Sequence, residues 1–478
     1  MYWVFPGRWY LVVFITIIGE VTSHKIAIVG GGIGGTSNAF FLQQLLKDKA
    51  QIKIFERGDV GGRLREMQIG GRSYDSGGSI IHSDNFYARA LTEKVGLKVR
   101  NLDKGGGTGF YDGKEFVLKL TGSTFKDKFK VLGRYGFGIR NIVKDAEMML
   151  KTFKRIYCLQ SKKVAFKSTA ELLNSTSPDF LKRAQVSMRQ SLKTLGVSEL
   201  IQNELIAAAM HTNYNQELDV NAFVGFVSLA GGLVGDLWRV EEGNFRLPQE
   251  LVKATGVEVV KSKVRSILPS SRGTGYTVTY TLSGDTEDFE TEDFDAVVLA
   301  TPLHNADLQL PDKVDVAKNT KPFQRTIATF VNGILAPVVP GQENPEDILT
   351  VWSKEDLFFS SIGFKGSATP DFNYKIFSKT PLTGEQIGKL FSKVNEVKSV
   401  DWKAYPKYSV PDTLPDFELA PGLFYINAIE SAASAIEMSC IGSKNVALLL
   451  FQYLENVENV DFKTVCRQQD LIKFKEEL

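Results

Sequence analysis

Cysteine is scarce in this chain. Cys158, Cys440 and Cys466 are the only three in 478 residues, too few and too scattered for a zinc cluster or a disulfide framework, and they allow one bridge at most. A strong charge of either sign is also missing. Lys and Arg number 57 against 55 Asp and Glu, a formal charge of +2, and no dense basic stripe interleaves with aromatics, so nucleic acid is excluded as a partner. Beyond the N-terminal stretch no run is long and apolar enough to span a membrane. There is no internal repeat and no low-complexity segment. What remains is a 478-residue chain that is 43% hydrophobic, enough to bury more than one core and to form two domains.

The N-terminus is the first positive signal. Arg8 precedes the apolar stretch Trp9 to Gly19, and Val21-Thr22-Ser23 then supplies small residues for cleavage. A helix of that stretch would span about 17 Å against the ~30 Å of a hydrocarbon core, so residues 1–23 read as a removed signal peptide, with a membrane anchor the weaker alternative. Asn174-Ser175-Thr176 is an acceptor sequence for N-glycosylation, which agrees with export. No metal-binding set is read.

Lys25 to Val29 is a short β-branched run that meets Gly30-Gly31-Gly32-Ile33-Gly34-Gly35, and helical spacing follows from Thr36 to Leu46. Gly30, Gly32 and Gly35 fit G-x-G-x-x-G, where a tight turn, a close backbone approach to pyrophosphate and close helix packing each require a glycine. A second strand, Ile52 to Phe55, ends at Glu56, about 20 residues on, where an acidic side chain accepts from a ribose hydroxyl. Further along, helical spacing runs from Arg140 to Gln160 and from Ser198 to Met210. Strands are expected from Tyr276, over Asp295 to Pro302, and around Thr326 to Leu335, Leu357 to Phe364 and Tyr374 to Phe377. Thr383 to Gln386 has the spacing of a capping box. Gly422 to Asn427 reads as a strand running into a helix over Ala432 to Leu450. Gly231 to Gly235 reads as a loop over the active site.

Arg57 and Gly61-Gly62-Arg63-Leu64 resemble the second glycine motif of the flavoprotein amine oxidase and phytoene desaturase superfamily, in which backbone and arginine meet the FAD diphosphate. Within it, the chain resembles the prenylcysteine oxidases over nearly its whole mature length. Val60 to Leu64, Gly77-Gly78-Ser79-Ile80-Ile81-His82, Arg134 to Phe137, Asn221 to Gly225, Leu237-Trp238, Ala300 to Leu303, Ala404-Tyr405-Pro406 and Glu430 to Ala435 carry the likeness. Gly31 departs from it, replacing alanine, as does Ala428, where glycine is expected.

The resemblance implies an α/β fold: an FAD-binding Rossmann-like domain of the GR2 type, built from residues 24–105, 240–305 and 415–458, with an interleaved α+β substrate domain, 106–239 and 306–414, and a tail, 459–478. It implies FAD held by Gly30, Gly32, Gly35, Glu56, Arg57, Gly62, Arg63, Val264 and Glu430, the last meeting the ribityl chain from a helix N-terminus. His82, Trp238 and Tyr405 are candidates beside the flavin, His82 more readily as a structural hydrogen-bonding group than as a proton carrier. The implied activity is oxidation of farnesyl- or geranylgeranyl-cysteine by molecular oxygen to a prenyl aldehyde, cysteine and hydrogen peroxide. Oxidation of another amine or thioether, or a silent FAD-binding lipid carrier, is the alternative, and peripheral membrane or lipid association stays open. The resemblance implies the lysosome, whereas the C-terminal Lys475-Glu476-Glu477-Leu478 resembles an ER-retrieval signal and secretion is a third address.

Overall fold

The computed structural model describes residues 23–102, 106–282 and 288–460. The ER-retrieval tetrapeptide, Cys466 and all but the last residue of the expected signal peptide lie outside them.

His24–Val29 is the centre of the larger sheet because it is apolar on both faces: Ile26, Ala27 and Ile28 are fully buried, as an inner parallel strand must be. It runs parallel to Ala50–Glu56 on one side and to Ala296–Leu299 on the other. Beyond Ala296–Leu299 lies Leu423–Tyr425, also parallel. Beyond Ala50–Glu56 the start of Glu258–Pro269 pairs parallel, then turns antiparallel to Tyr276–Leu282. The eight strands of this sheet thus come from three separate stretches of chain. The helices Ile33–Leu46 and Ile436–Glu455 lie against each other, stitched by Ser443 Oγ donating to the Gly34 carbonyl at 2.6 Å and Asn38 Nδ2 donating to the Ser443 carbonyl at 2.8 Å.

A seven-stranded sheet, with Phe323–Leu335, Phe372–Ser378 and Ser361–Ser367 near its middle, forms the second layer. Its edge is Phe391–Pro406, a strand not expected from the sequence. Most of its positions are exposed, and Lys393, Lys398 and Lys403 blunt the open edge. Helices between Thr124 and Leu233 close the space beside the two sheets.

Several expectations need correction. The helix expected through Gln160 is two, Ile139–Phe153 and Arg155–Ser161. Gly231 and Gly232 close the helix Ala222–Leu233 instead of forming a loop. The C-terminal helix begins at Ile436, after a 3-10 turn over Ile426–Ser431. The expected boundary at 240 cuts the strand Leu237–Val240, which pairs with Ile81–His82 and Val99–Asn101. The capping box at Thr383 is present, with both reciprocal bonds made. Cys158 is disulfide-bonded, and Cys440 is free and buried.

A glycine-lined cavity between two sheets

The glycine turn is shaped by collisions that only hydrogen avoids. Gly30 has φ +115°, and a Cβ there would lie 2.6 Å from the Ala300 carbonyl oxygen, while one on Gly35 would overlap the Gly30 carbonyl. Gly35 therefore seats the helix on the strand and does not face the cavity. Gly32 does face it, and its nearest neighbour is the second glycine pair: Gly61 donates to the Gly31 carbonyl at 2.9 Å, and a Cβ on Gly62 would come within 3.1 Å of the Gly32 Cα. Two glycine turns packed back to back leave bare backbone along one wall.

Glu56 stands at the strand end beside them. Its carboxylate accepts from Gly31 N–H at 2.7 Å and Gly58 N–H at 2.8 Å, which leaves lone pairs free for a further donor. Arg57, exposed, and Val264, buried, line the same stretch of wall.

Arg63 and Glu430 meet each other. Arg63 Nη1 donates to Glu430 Oε2 at 2.9 Å and to the Ala404 carbonyl at 2.7 Å, and Nη2 donates to Glu430 Oε1. Glu430 is 1% exposed and also accepts from Asn427 Nδ2 at 2.7 Å. The Asn427 Oδ1 on the cavity wall is buried without a partner, an acceptor of the kind a bound group would satisfy.

The bond to Ala404 has a local cause. Gln324 pairs with Tyr405 and Arg325 with Lys403, so Ala404 is bulged out of the ladder. The bulge turns Trp402 and Tyr405 to the same side, and both reach the cavity. Tyr405 Oη lies 3.2 Å from Thr326 Oγ1 and Trp402 Nε1 donates to the Ser76 carbonyl at 3.2 Å. Trp402 was missed in the sequence. Trp238, expected near the flavin, lies outside the cavity wall: it is 2% exposed, packed with Ile81, Ala88 and Val240, and donates to the His82 carbonyl. His82 lines the cavity with both ring nitrogens engaged by backbone: Nε2 bonds the Val234 carbonyl at 2.6 Å and Nδ1 accepts from Asp84 N–H at 3.0 Å.

These walls enclose one cavity of about 1440 Å³, above the ~300–1,000 Å³ of sites for a drug-sized ligand. Away from the glycine turns it continues between the helices Ile139–Phe153 and Ala222–Leu233, where Ile142, Ala146, Met149, Phe226 and Leu229 are buried and wholly apolar. It therefore has a polar arm that fits a dinucleotide and an apolar arm that fits a hydrocarbon.

The prenylcysteine lyase family model matches residues 119–461, and a model for NAD(P)-binding Rossmann-like domains matches 28–95. The chain belongs to the prenylcysteine lyase family. It is 35% identical to human prenylcysteine oxidase 1 over 89% of this chain and 88% of that one. With prenylcysteine oxidase 1-like of Bos taurus it shares 31% identity over 96% of each. In fold it is similar to a putrescine oxidase double mutant (TM-score 0.61, 14% identity, covering 90% of this chain and 99% of that one). Cyclohexylamine oxidase from Brevibacterium oxydans is similar to the same degree (TM-score 0.59, 15% identity, covering 91% and 100%).

One further cavity residue of this family member carries no sequence signal beyond a lone cation in an apolar strand. Lys375, on Phe372–Ser378, is 5% exposed, donates to the carbonyls of Asp75 at 3.0 Å and Gly77 at 3.3 Å, and lies over the rings of Phe330 and Phe377. Burial, aided by the nearby Lys365, pushes its ammonium down from 10.5 to about 7. The unfolded chain keeps this proton up to pH 10.5 and the folded one releases it near 7, so between those values the unfolded state binds more protons and stability rises with pH. In the apo protein, Lys375→Met is expected to flatten that rise, read from denaturation midpoints across the window; an unchanged slope refutes it.

The Arg63–Glu430 pair gives a second expectation. The Arg63 side chain is 31% exposed toward the cavity, which softens the penalty of orphaning it, so Glu430→Ala is expected to cost about 1–3 kcal/mol. A double-mutant cycle with Arg63→Met, followed by chemical denaturation, should return a coupling near that size, and zero coupling rejects the link.

Proposed function

We propose that this chain is an FAD-dependent thioether oxidase that converts S-prenyl-L-cysteine, oxygen and water to a prenyl aldehyde, L-cysteine and hydrogen peroxide, in the breakdown of prenylated proteins. The observation that carries the reading is the continuity of one cavity from the two glycine turns to the apolar arm. A cofactor and an isoprenoid then share a single space.

In this reading the backbone of Gly30, Gly32 and Gly62, with the helix N-terminus at Ile33, would hold the FAD diphosphate. Glu56 would accept from the ribose, Arg57 would serve the diphosphate and Val264 the adenine, and the unpaired Asn427 Oδ1 would accept from a donor of the bound group. Arg63 and Glu430 act one step back, holding the wall. Bound FAD supplies the two-electron acceptor. The protein contributes position and dryness: the apolar arm aligns the prenyl chain, and Trp402 and Tyr405 wall the reacting end. No strong base is required of the chain, because the positive charge left by loss of hydride is shared between the sulfur lone pair and the allylic double bond. His82, with both nitrogens bonded to backbone, keeps a structural part.

We also propose that the chain enters the secretory pathway, with the lysosome as the destination that the resemblance implies and the ER or secretion as the alternatives. The disulfide at Cys158 supports an oxidising compartment. Asn174, exposed on Thr169–Thr176, is accessible to a glycan.

The holoprotein should release peroxide with farnesyl- or geranylgeranyl-cysteine and not with a panel of simple amines. Amine turnover would move it to the neighbouring chemistry, and silence toward every substrate would make it a flavin-binding lipid carrier. Protein from a secretory host should lose mass on glycosidase treatment, and Asn174→Gln should abolish that loss. A host product that retains residues 1–23 and carries no glycan refutes the address.

A further inference from the structure

The helix Thr124–Tyr135 is built the wrong way round for a soluble protein. Phe125, Phe129 and Leu132 recur at i, i+4 and i+7, the stripe that normally faces a core, yet they are 73%, 61% and 41% exposed. The two rings sit edge to face, with centroids 4.9 Å apart. Phe137, just past the helix, extends the patch at 61% exposure. Scattered surface hydrophobics are ordinary; a contiguous aromatic stripe is not.

Its surroundings are basic. The helix carries Lys126, Lys128, Lys130 and Arg134 against the single acid Asp127. Asp127 is occupied by Thr121, accepting from its N–H at 2.8 Å and its hydroxyl at 3.0 Å, and Arg134 is occupied by Glu204. Among the described residues, Lys126 and Lys128 have no carboxylate partner. In a chain whose formal charge is only +2, this concentration is local.

The opposite side of the same element opens on the site. Val131, and Ile139 at the start of the next helix, line the cavity where its apolar arm begins. Outward aromatics, flanking lysines and an inward apolar lining of the cavity therefore occupy one short stretch of chain.

We infer that Thr124–Tyr135 and Phe137 form a monotopic docking surface for an anionic lipid bilayer, and that they set the apolar arm of the cavity against it as the entry for prenyl chains. The aromatics enter the acyl boundary while the lysines meet lipid phosphates and carboxylates. A second copy of the chain is the poorer occupant, because self-docking would bring the same lysines face to face. The entry role rests on the prenylcysteine reading; the docking surface does not.

The test separates the two. Full-length mature holoprotein is floated with vesicles of phosphatidylcholine alone and with added phosphatidylserine, at low and high salt. Binding is expected to need phosphatidylserine and to weaken with salt. The Phe125→Ser/Phe129→Ser variant should bind at least about ten-fold more weakly, and Lys126→Glu/Lys128→Glu should lose the dependence on phosphatidylserine. Both variants should keep flavin absorbance and turnover of a water-soluble, short-chain prenylcysteine, since neither pair touches the cavity. Turnover of geranylgeranyl-cysteine presented in vesicles should fall with binding. Wild-type protein that ignores both vesicles, or serine variants that bind as well as wild type, overturn the docking surface, as does a solution dimer that the serine substitutions dissociate. Normal vesicle binding with no turnover of any prenylcysteine leaves the surface standing and removes the proposed function instead.

Discussion

One guanidinium holds the site together. Arg63 follows the second glycine pair, yet its fork closes on a carbonyl 341 residues away at Ala404 and on a carboxylate 367 residues away at Glu430. A planar, bidentate donor can serve both at once because its N–H groups point in fixed directions. The first segment belongs to the dinucleotide-binding half, the second to the edge of the other sheet, and the third to the chain's return to the first sheet. The fork spans the two layers beside the cavity, together with Trp402 Nε1 on the Ser76 carbonyl and Lys375 Nζ on the carbonyls of Asp75 and Gly77. The bulge that frees the Ala404 carbonyl also aims Trp402 and Tyr405, so the same irregularity anchors the wall and decorates it.

What was legible in the sequence is what local sterics dictate. The turn at Gly30, Gly32 and Gly35 and the acid at Glu56 are fixed by collisions and hydrogen bonds within one βαβ unit, and the buried strands at Ile26 and Val297 read as unbroken apolar runs. What was not legible depends on partners far along the chain. Phe391–Pro406 hides because its valines recur every third residue, at Val394, Val397 and Val400, so no period-two alternation shows, yet an edge strand is held by its ladder to Phe323–Leu335. Trp402 carried no local signal, because which side of its strand the indole leaves from is set by a one-residue bulge at Ala404, and Trp238 is buried by the pairing of its own strand with Ile81–His82, a contact 156 residues apart. Glu430 pairs with Arg63 across 367 residues, a contact no local pattern announces. Lys375 looks in sequence like a solvent-facing lysine and lies instead against two phenylalanines.

The division of the cavity follows from which elements wall each part. Strand ends and glycine turns present backbone N–H groups and suit phosphate. Amphipathic helices present their core stripes and suit hydrocarbon. Where the two kinds of element meet, a single space acquires two solvents, one suited to a dinucleotide and the other to hydrocarbon.

The order in which the large sheet is assembled has a consequence for biosynthesis. Lys25 bonds to Asp295 across 270 residues, and Gly34 waits for Ser443 across 409. While the chain is still on the ribosome, the central strand can find its neighbour at Ala50–Glu56 but has nothing on its other side, and its apolar edge stays open until most of the polypeptide has been made. Domains that begin and end a chain in this way cannot fold piecewise from the N-terminus. Loss of even the strand Leu423–Tyr425 and the helix Ile436–Glu455 deprives the first glycine turn of the surface it is pressed against.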